Sequence, residues 1–159
     1  MGVKFKDNSF WAVDAINKVA NKWLHESAGE IQSQAQKNSR RRTSKTAESF
    51  SYVISDTELK ATIGSPEMNS VWEEFGTGDY AIKGDGRKGG WYVSIGYGPN
   101  QIDPDTVKHY GFRIYYGKNG VKYIFTKGKR PSRALTKAFE SCMPSIEKRL
   151  EELLKGGLK

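Results

Sequence analysis

The chain of 159 residues has a single cysteine, Cys142, and two histidines, His25 and His109. One cysteine excludes an internal disulfide framework, and no His/Cys cluster has the spacing of metal ligands. No apolar run approaches the ~20 residues that span a bilayer, and no apolar h-region follows Lys4 and Lys6. We therefore expect one soluble domain, made in the cytoplasm, which is large enough to bury a core without disulfides or metals.

Acidic residues are also missing from a long stretch of the chain. Between Thr106 and Phe139 there are nine Lys and Arg residues and no Asp or Glu. The charge of this stretch, +9, is larger than the net charge of the whole chain, +8. A stretch of one sign predicts a surface that meets an acidic partner, either a nucleic-acid backbone or a protein. The alternative is a solvated face whose acids lie nearby in space.

The titratable side chains form no recognisable catalytic group. Neither histidine lies in a motif, and Cys142 falls on an apolar helical stripe, where a free cysteine is usually a small buried hydrophobe. Glu73 and Glu74 are adjacent, so on a helix their side chains diverge by about 100° and typically solvate it. We therefore expect a protein that is not an enzyme, with no catalytic residue, no metal site and no cofactor.

Two other interpretations have partial support in the sequence. Gly84–Gly90 has glycines that let backbone amides approach an anion, but it lacks the Gly-Lys-Ser/Thr ending and the following helix of a phosphate-binding loop. Asp56, Glu58 and Lys60 have the period-2 spacing of one strand face, which a metal-dependent nuclease would use. No acid between residues 106 and 139 completes such a site, so both interpretations rank below a non-enzymatic function.

Helical periodicity predicts three helices. Apolar residues recur every three or four positions over 8–36, after an Asp7-Asn8-Ser9 cluster that can cap the first turn. A second apolar stripe covers 66–75 and is closed by a glycine. The third helix, 131–154, opens on a proline and includes Pro144, where the lost backbone hydrogen bond predicts a kink.

Alternating apolar residues predict strands between these helices. A hairpin covers 49–63, and further strands cover 91–126, where a Gly-Lys-Asn-Gly turn joins the last two. The basic loop 37–48 and the glycine-rich loop 76–90 connect the elements, and we expect the second to be flexible. We predict an α+β fold in a single domain, 1–159, with one antiparallel sheet of about four to five strands packed by a long N-terminal helix, a short middle helix and a C-terminal helix.

The string Glu-Phe-Gly-Thr-Gly at Glu74–Gly78 follows a predicted strand and a short helix. In this context the chain resembles the tail-completion, or head-tail joining, proteins of long-tailed bacteriophages, which are minor tail or neck components of lambdoid phages. The long N-terminal helix, the basic loop before the first strand and the proline-led last helix stand in the same order. The resemblance covers roughly 9–78 and 126–154, and the segment 79–125 is long for the family.

The resemblance implies a structural virion assembly protein that forms a ring, expected to be hexameric, at the head-tail interface. The implied partners are further copies of the chain, neighbouring phage neck and tail-tube or tail-terminator proteins, and DNA in the ring lumen, with no membrane. The implied location is the neck of the virion, after synthesis in the cytoplasm of the bacterial host. Loops 37–45 and 76–90 are the expected source of the heterologous contacts that a ring requires.

Two sets of residues are expected to make these contacts. In the motif set, Phe75 is expected to anchor the core, Gly76 to form a left-handed helix cap and Glu74 to touch a neighbouring subunit. The motif set is Glu74, Phe75, Gly76, Thr77 and Gly78, and the basic set, which is expected to face a partner or DNA, is Arg40, Arg41, Arg42, Lys118, Lys122, Lys127, Lys129, Arg130 and Arg133.

The alternative function is a nucleic-acid-binding module. On that interpretation the basic stretch 106–139 and Arg40–Arg42 contact phosphates, and Trp91 or Tyr116 stacks on bases. The aromatic residues alternate as strand core residues do, which favours the assembly function over this one.

Overall fold

The structure, a computed structural model, describes residues 9–39 and 45–157. The expected basic triplet Arg40–Arg42 and the Asp7-Asn8 part of the helix cap lie outside the described residues. Contacts group the chain into two compact units, one of residues up to Ser70 and from Arg133 onward, the other of Val71–Ser132. That the whole chain forms one domain stays a prediction.

Two long antiparallel helices form the first unit. Helix α1 runs over Ser9–Asn38, and the last helix, α5, runs over Ala134–Gly157. The Asn38 side chain donates to the carbonyl of Ala134 (3.2 Å) at one end, and Trp23 Nε1 donates to the carbonyl of Ile146 (2.9 Å) further along. Apolar residues from both helices meet Phe50 in a buried cluster. Its members are Ile31, Ala35, Phe50, Ala134, Ala138, Cys142 and Ile146.

Cys142 is buried in this cluster, as the apolar stripe predicted. Pro144 lies inside α5, which continues to Gly157; the predicted kink at this residue stays a prediction. An ion pair joins the helices on their outer side, where Arg149 donates to Glu30 and Ser145 Oγ donates to the same carboxylate at 3.1 Å. The hydrogen bond from Arg149 lowers the pKa of Glu30, against the opposing effect of burial.

A short helix and a hairpin complete the first unit. Helix α2 covers Lys45–Glu48, within the segment expected to be loop, and buries Thr46 and Ala47. Strands β1 (Ser51–Ser55) and β2 (Lys60–Gly64) pair antiparallel, so the predicted hairpin is confirmed. The side chain of Gln32 on α1 donates to the carbonyl of Phe50 at 2.7 Å, which ties the entry of the hairpin to the long helix.

The second unit contains a three-stranded antiparallel sheet. Helix α3 (Met68–Phe75) leads into it and is followed by a 3₁₀ turn at Gly78–Tyr80. The strands are β3 (Trp91–Ser94), β4 (Ile114–Tyr116) and β5 (Lys122–Thr126), with β5 in the centre. The predicted hairpin turn is confirmed, because the Gly117 amide donates to the carbonyl of Val121 at 2.9 Å.

The α+β class is confirmed, but the five strands form two sheets and not the single sheet that we expected. The hairpin strands β1 and β2 pair with each other alone, and β5 has β3 on one edge and β4 on the other. A helix and a glycine-rich segment separate β2 from β3 in the chain. No strand therefore follows the hairpin closely enough in sequence to extend it as a meander.

The expectation of strands over 91–126 is partly wrong, because this segment includes a helix, α4 (Pro104–Tyr110). Asp103 caps this helix by accepting from the Thr106 amide at 2.8 Å, and Gly111 closes it with a left-handed backbone (φ 63°). The signal was present in the sequence, since an aspartate followed by proline is a helix start. The alternating aromatic residues concealed it.

Candidate functional site

The motif Glu74–Gly78 begins at the end of α3. The Gly76 amide donates to the carbonyl of Trp72 (3.0 Å), and Gly76 has a left-handed backbone (φ 72°). The expected glycine cap is therefore confirmed. Beyond it the chain turns back, so that the Ile82 amide donates to the carbonyl of Phe75 at 2.9 Å.

A second segment, Lys127–Ser132, runs beside the motif and is hydrogen-bonded to it. The Thr77 amide donates to the carbonyl of Lys129 (2.9 Å), and the Asp79 amide donates to the carbonyl of Lys127 (2.8 Å). The Lys129 amide in turn donates to Thr77 Oγ1 at 2.9 Å. The loop that we expected to be flexible thus begins with a ladder of defined bonds.

Two glycines make this close approach possible. Both have positive φ, 62° at Gly78 and 111° at Gly128. A Cβ atom at Gly78 would overlap the carbonyl of Lys127, and a Cβ atom at Gly128 would overlap the carbonyl of Thr77. Each of the two hydrogen-bonded segments therefore has a glycine where the backbone of the other segment passes. Any side chain at these positions would push the two segments apart.

An ion pair between a buried glutamate and a partly exposed lysine lies at the helix end of the same ladder. Glu73 is only 6% exposed, and Lys129 Nζ lies 2.9 Å from its Oε1. The amide and hydroxyl of Ser132 donate to the backbone carbonyl of Glu73, at 2.7 and 3.0 Å. These bonds hold 131–133 outside α5, which begins at Ala134 and not at Pro131 as we predicted.

Glu73 does not solvate the helix, which corrects the expectation from the sequence. No sequence signal identified its role, because the inward face of α3 is polar and carries Ser70 as well as Glu73. The apolar stripe of α3 points outward. Its residues are exposed to 64% (Met68), 46% (Val71), 48% (Trp72) and 46% (Phe75).

Phe75 is therefore not the core anchor that we expected. The burial of Glu73 is offset by an ion pair to Lys129, and its backbone carbonyl accepts from the Ser132 hydroxyl. Ile82, 53% exposed, follows Phe75 through the chain reversal, and Lys83 Nζ lies 5.6 Å from the centre of the Phe75 ring. Half-exposed apolar side chains thus adjoin the motif on a helix whose end is fixed.

The expected basic set is divided by the structure. Lys127, Lys129 and Arg130 lie in the segment bonded to the motif, where Lys129 is paired with Glu73 and the Arg130 guanidinium stacks over the Tyr80 ring at 4.7 Å. Lys118 and Lys122 belong to the hairpin of β4 and β5 and are exposed. Arg133 belongs to the first unit, where it pairs with Glu140 at 3.2 Å. Two of the set are thus neutralised by acids, as the solvated-face alternative held.

Trp91 and Tyr116, the residues expected to stack on bases, lie on one face of the β3-β5-β4 sheet. The buried Ile124 lies on the same face. Trp91 is half-buried with the Arg87 guanidinium 5.6 Å from its ring centre, and Tyr116 is 73% exposed. The opposite face carries an aromatic cluster that we did not single out. Its members are Tyr92, Tyr115, Tyr123 and Phe125.

The nuclease arrangement is not formed as we had laid it out. Asp56 and Glu58 lie in the turn of the hairpin, and Lys60 is the first residue of β2, so the three do not share a strand face. In residues 9–39 and 45–157, no three His, Cys, Asp or Glu side chains come together in a way that could hold a metal ion.

None of the helices in the described part of the chain combines the length and apolar character needed to cross a bilayer. Comparison with protein-family models, with curated proteins and with solved structures gives no match to this chain.

Proposed function

We propose that the chain is a structural assembly protein that completes the joint between head and tail of a long-tailed bacteriophage, as one subunit of a ring in the virion neck. The observation that carries the proposal is the exposed apolar face of α3, beside the Glu74–Gly78 motif. An amphipathic helix normally turns its apolar face inward. Exposed apolar patches on a folded chain mark contacts with other molecules.

The hydrogen-bonded ladder supports the same function. The motif and the residues before the last helix, both parts of the chain that the phage resemblance covers, form one structure through Thr77, Asp79, Lys127 and Lys129. A motif with this role needs no catalytic group. It fixes the end of α3, so that the helix face meets its partner without a large loss of conformational entropy.

The exposed bases next to the ladder supply the second contact. Lys127 is exposed, and no acidic residue occurs between Thr106 and Phe139. In the proposed ring this surface faces an acidic neck protein or the DNA in the lumen. Lys129 serves the fold instead, through Glu73.

The test is complementation of a phage or prophage from which this gene is deleted, followed by electron microscopy of the lysate. The native gene should restore complete particles. Trp72→Glu places a charge on the α3 face, and we expect it to leave DNA-filled heads beside unattached tails, as the deletion does. Lys127→Glu should reduce joining without affecting the Glu73–Lys129 pair.

The matched control is Tyr97→Glu, which changes an aromatic residue that is 82% exposed and lies outside α3. This variant should join heads to tails normally. Complete, infectious particles from the deletion phage, or from Trp72→Glu at native yield, would contradict the assembly function.

A nucleic-acid-binding function is the second candidate, favoured by the aromatic cluster of the sheet. Tyr92 is 59% exposed and makes edge contacts with Tyr115 (5.4 Å) and Phe125 (5.3 Å). The Arg113 guanidinium lies 5.3 Å from the Tyr115 ring centre. Aromatic rings beside bases are typical of surfaces that stack single-stranded nucleic acid.

Titration of a single-stranded oligonucleotide against the native protein and Tyr92→Ala, at several salt concentrations, tests this candidate. Stacking predicts that the variant binds more weakly, and phosphate contacts predict an affinity that falls steeply with salt. Binding no tighter than about 10⁻⁴ M at physiological salt equals ordinary non-specific attraction and would exclude it.

A further inference from the structure

The amino-terminal end of α1 is a second exposed apolar surface. Its large apolar residues are exposed to 76% (Phe10), 68% (Trp11), 57% (Val13) and 40% (Ile16), and we call these four the amino-end patch. Phe10 and Trp11 contact each other edge to face at 6.0 Å. Buried residues of α1 begin only at Ser27.

The pairing of α1 with α5 explains this exposure. Asn38 lies beside Ala134, and the helices are antiparallel with equal rise per residue. The last described residue of α5, Gly157, is therefore level with about residue 15 of α1. Phe10, Trp11 and Val13 extend past that point, so α5 does not cover them within the described chain.

The exposed face of α3 is of similar size and chemistry. We call Val71, Trp72, Phe75 and Ile82 the α3 patch; each is about half exposed, between 46% and 53%. An aromatic side chain can bury roughly 150–250 Å². With their aliphatic neighbours, the two patches each expose roughly 300–400 Å², which is the size of the largest patch on an ordinary monomer and is often functional.

Charge distinguishes the possible pairings of these patches. Lys83 borders the α3 patch, with its ammonium 5.6 Å from the Phe75 ring centre. Asp14, whose side chain is 44% exposed, lies within the amino-end patch and pairs with Lys18 at 2.8 Å. Two α3 patches facing each other would bring two Lys83 side chains to one rim, whereas an amino-end patch brings the Asp14–Lys18 pair, which has no net charge. The mixed pairing is favoured because it avoids the like-charge repulsion between two Lys83 side chains.

We propose that the amino-end patch of one copy binds the α3 patch of a second copy. The contact is heterologous, because two different surfaces meet and each copy keeps one of each free for the next. The paired patches cover roughly 700 Å² in total, which is below the range of stable interfaces and predicts weak, reversible association. The inference rests on the proposed ring for its biological role, but not for its test.

The test uses two variants of the full chain, each lacking one patch. The first is Phe10→Glu with Trp11→Glu, and the second is Val71→Glu with Trp72→Glu. Sedimentation velocity up to about 0.5 mM covers the range expected of so small an interface. The native chain and the Tyr97→Glu control should associate with rising concentration. Each variant alone should stay monomeric, with self-association weakened at least about tenfold.

The mixture of the two variants gives the decisive measurement. It contains one intact amino-end patch and one intact α3 patch, so it should form a 1:1 dimer and nothing larger. Unchanged circular dichroism and thermal midpoint would show that both variants are folded. In the same way, Val13→Cys mixed with Val71→Cys should form an interchain disulfide under mild oxidation, while each protein alone does not.

Three outcomes would overturn the inference. A native chain that stays monomeric and unlinked throughout has no such contact, and its patches would then serve another protein. Self-association of the second variant alone would mean that two amino-end patches pair, and self-association of the first alone would mean that two α3 patches pair. Failure of the proposed phage function appears separately, as normal particles in the deletion lysate while the purified mixture still dimerises.

Discussion

The two units of the chain are stabilised by different kinds of contact. In the described part of the first unit, nine apolar residues are buried, most of them where α1, α5 and the start of the hairpin meet. In the second unit, Val107 and Ile124 are the buried apolar residues among those described. Its organisation depends instead on the ladder between the motif and Lys127–Ser132, with two glycines and the Glu73–Lys129 pair.

This contrast determines which substitutions each unit can tolerate. A core of interdigitating side chains loses stability in proportion to the volume removed, and it accepts substitutions of similar volume. A ladder of backbone bonds is indifferent to most side chains but has no tolerance at the positions where a Cβ would collide. The first unit should therefore be sensitive to truncation and the second to addition.

Gly78→Ala should have the largest effect, because the added Cβ overlaps the carbonyl of Lys127 at a backbone angle that disfavours alanine. We expect a loss of about 3 to 4 kcal/mol, centred on the second unit. The Thr77 and Asp79 amides should exchange with solvent much faster. Gly84→Ala is the matched control, since Gly84 also has positive φ (71°) but a Cβ added there would meet no atom within 4 Å. It should cost only about 1 kcal/mol, and equal losses would contradict the role of the ladder.

Ile146→Ala tests the first unit. Ile146 is 1% exposed, and removing its side chain should leave a cavity that costs about 3 kcal/mol of unfolding free energy. Chemical denaturation measures this loss. Phe139→Ala, at a position 51% exposed on the same helix, should cost less than about 1 kcal/mol. An equal loss at Phe139 would contradict the dependence of the loss on burial.

Glu73→Gln separates the ion pair from the backbone bonds of the ladder. The substitution keeps the shape of the side chain and the carbonyl that accepts from Ser132, but it leaves Lys129 without its charged partner. We expect a loss of about 2 kcal/mol, measured as a shift of the denaturation midpoint. Glu67→Gln disrupts an ion pair with Lys45, whose side chain is 71% exposed, and should cost less than about 1 kcal/mol. Similar losses from both would show that the burial of Glu73 contributes nothing.

The smallest effect concerns the outer ion pair of the first unit. Because its pKa is lowered by Arg149, Glu30 stabilises the folded state above the pKa of the unfolded chain, near 4.5, and loses this contribution as the pH falls through the lowered value. The pair is about one third exposed, so less than about 1 kcal/mol is involved. Acid titrations of the native chain and Glu30→Gln should show a shallower decline for the variant below pH 4.5. Parallel curves would mean that the pair is screened.

Sequence patterns predicted the first unit well. The long helix, the hairpin and the buried Cys142 follow from local periodicity, although the first part of the α1 stripe, with Phe10 and Val13, is exposed. The second unit was predicted less well. The alternation of apolar residues predicted strands there but did not identify the buried residue of β5, Ile124, which lies opposite both Val93 and Ile114 in the register.

The motif was identified from the sequence, but its surroundings were not. Gly76 was correctly expected to cap α3, since a positive φ at a helix end is a local requirement. Phe75 was wrongly placed in the core. The apolar stripe shows which residues share one face of α3, but it does not show whether that face points to the core or to solvent. The partner segment Lys127–Ser132 lies about fifty residues away in sequence, and no local pattern links it to the motif.

Residue order alone was enough to establish the α+β class, the positions of most elements and the absence of acids between Thr106 and Phe139. These depend on neighbours in the chain, whose spacing fixes helical or extended backbone. The burial of Glu73 with Lys129, and the exposure of Trp72 and Phe75 to solvent, were settled only when distant segments packed together. That outcome depends on which distant groups are available as partners. A buried carboxylate needs a compensating positive charge or hydrogen bonds, and an aromatic ring stays exposed where no other segment packs against it.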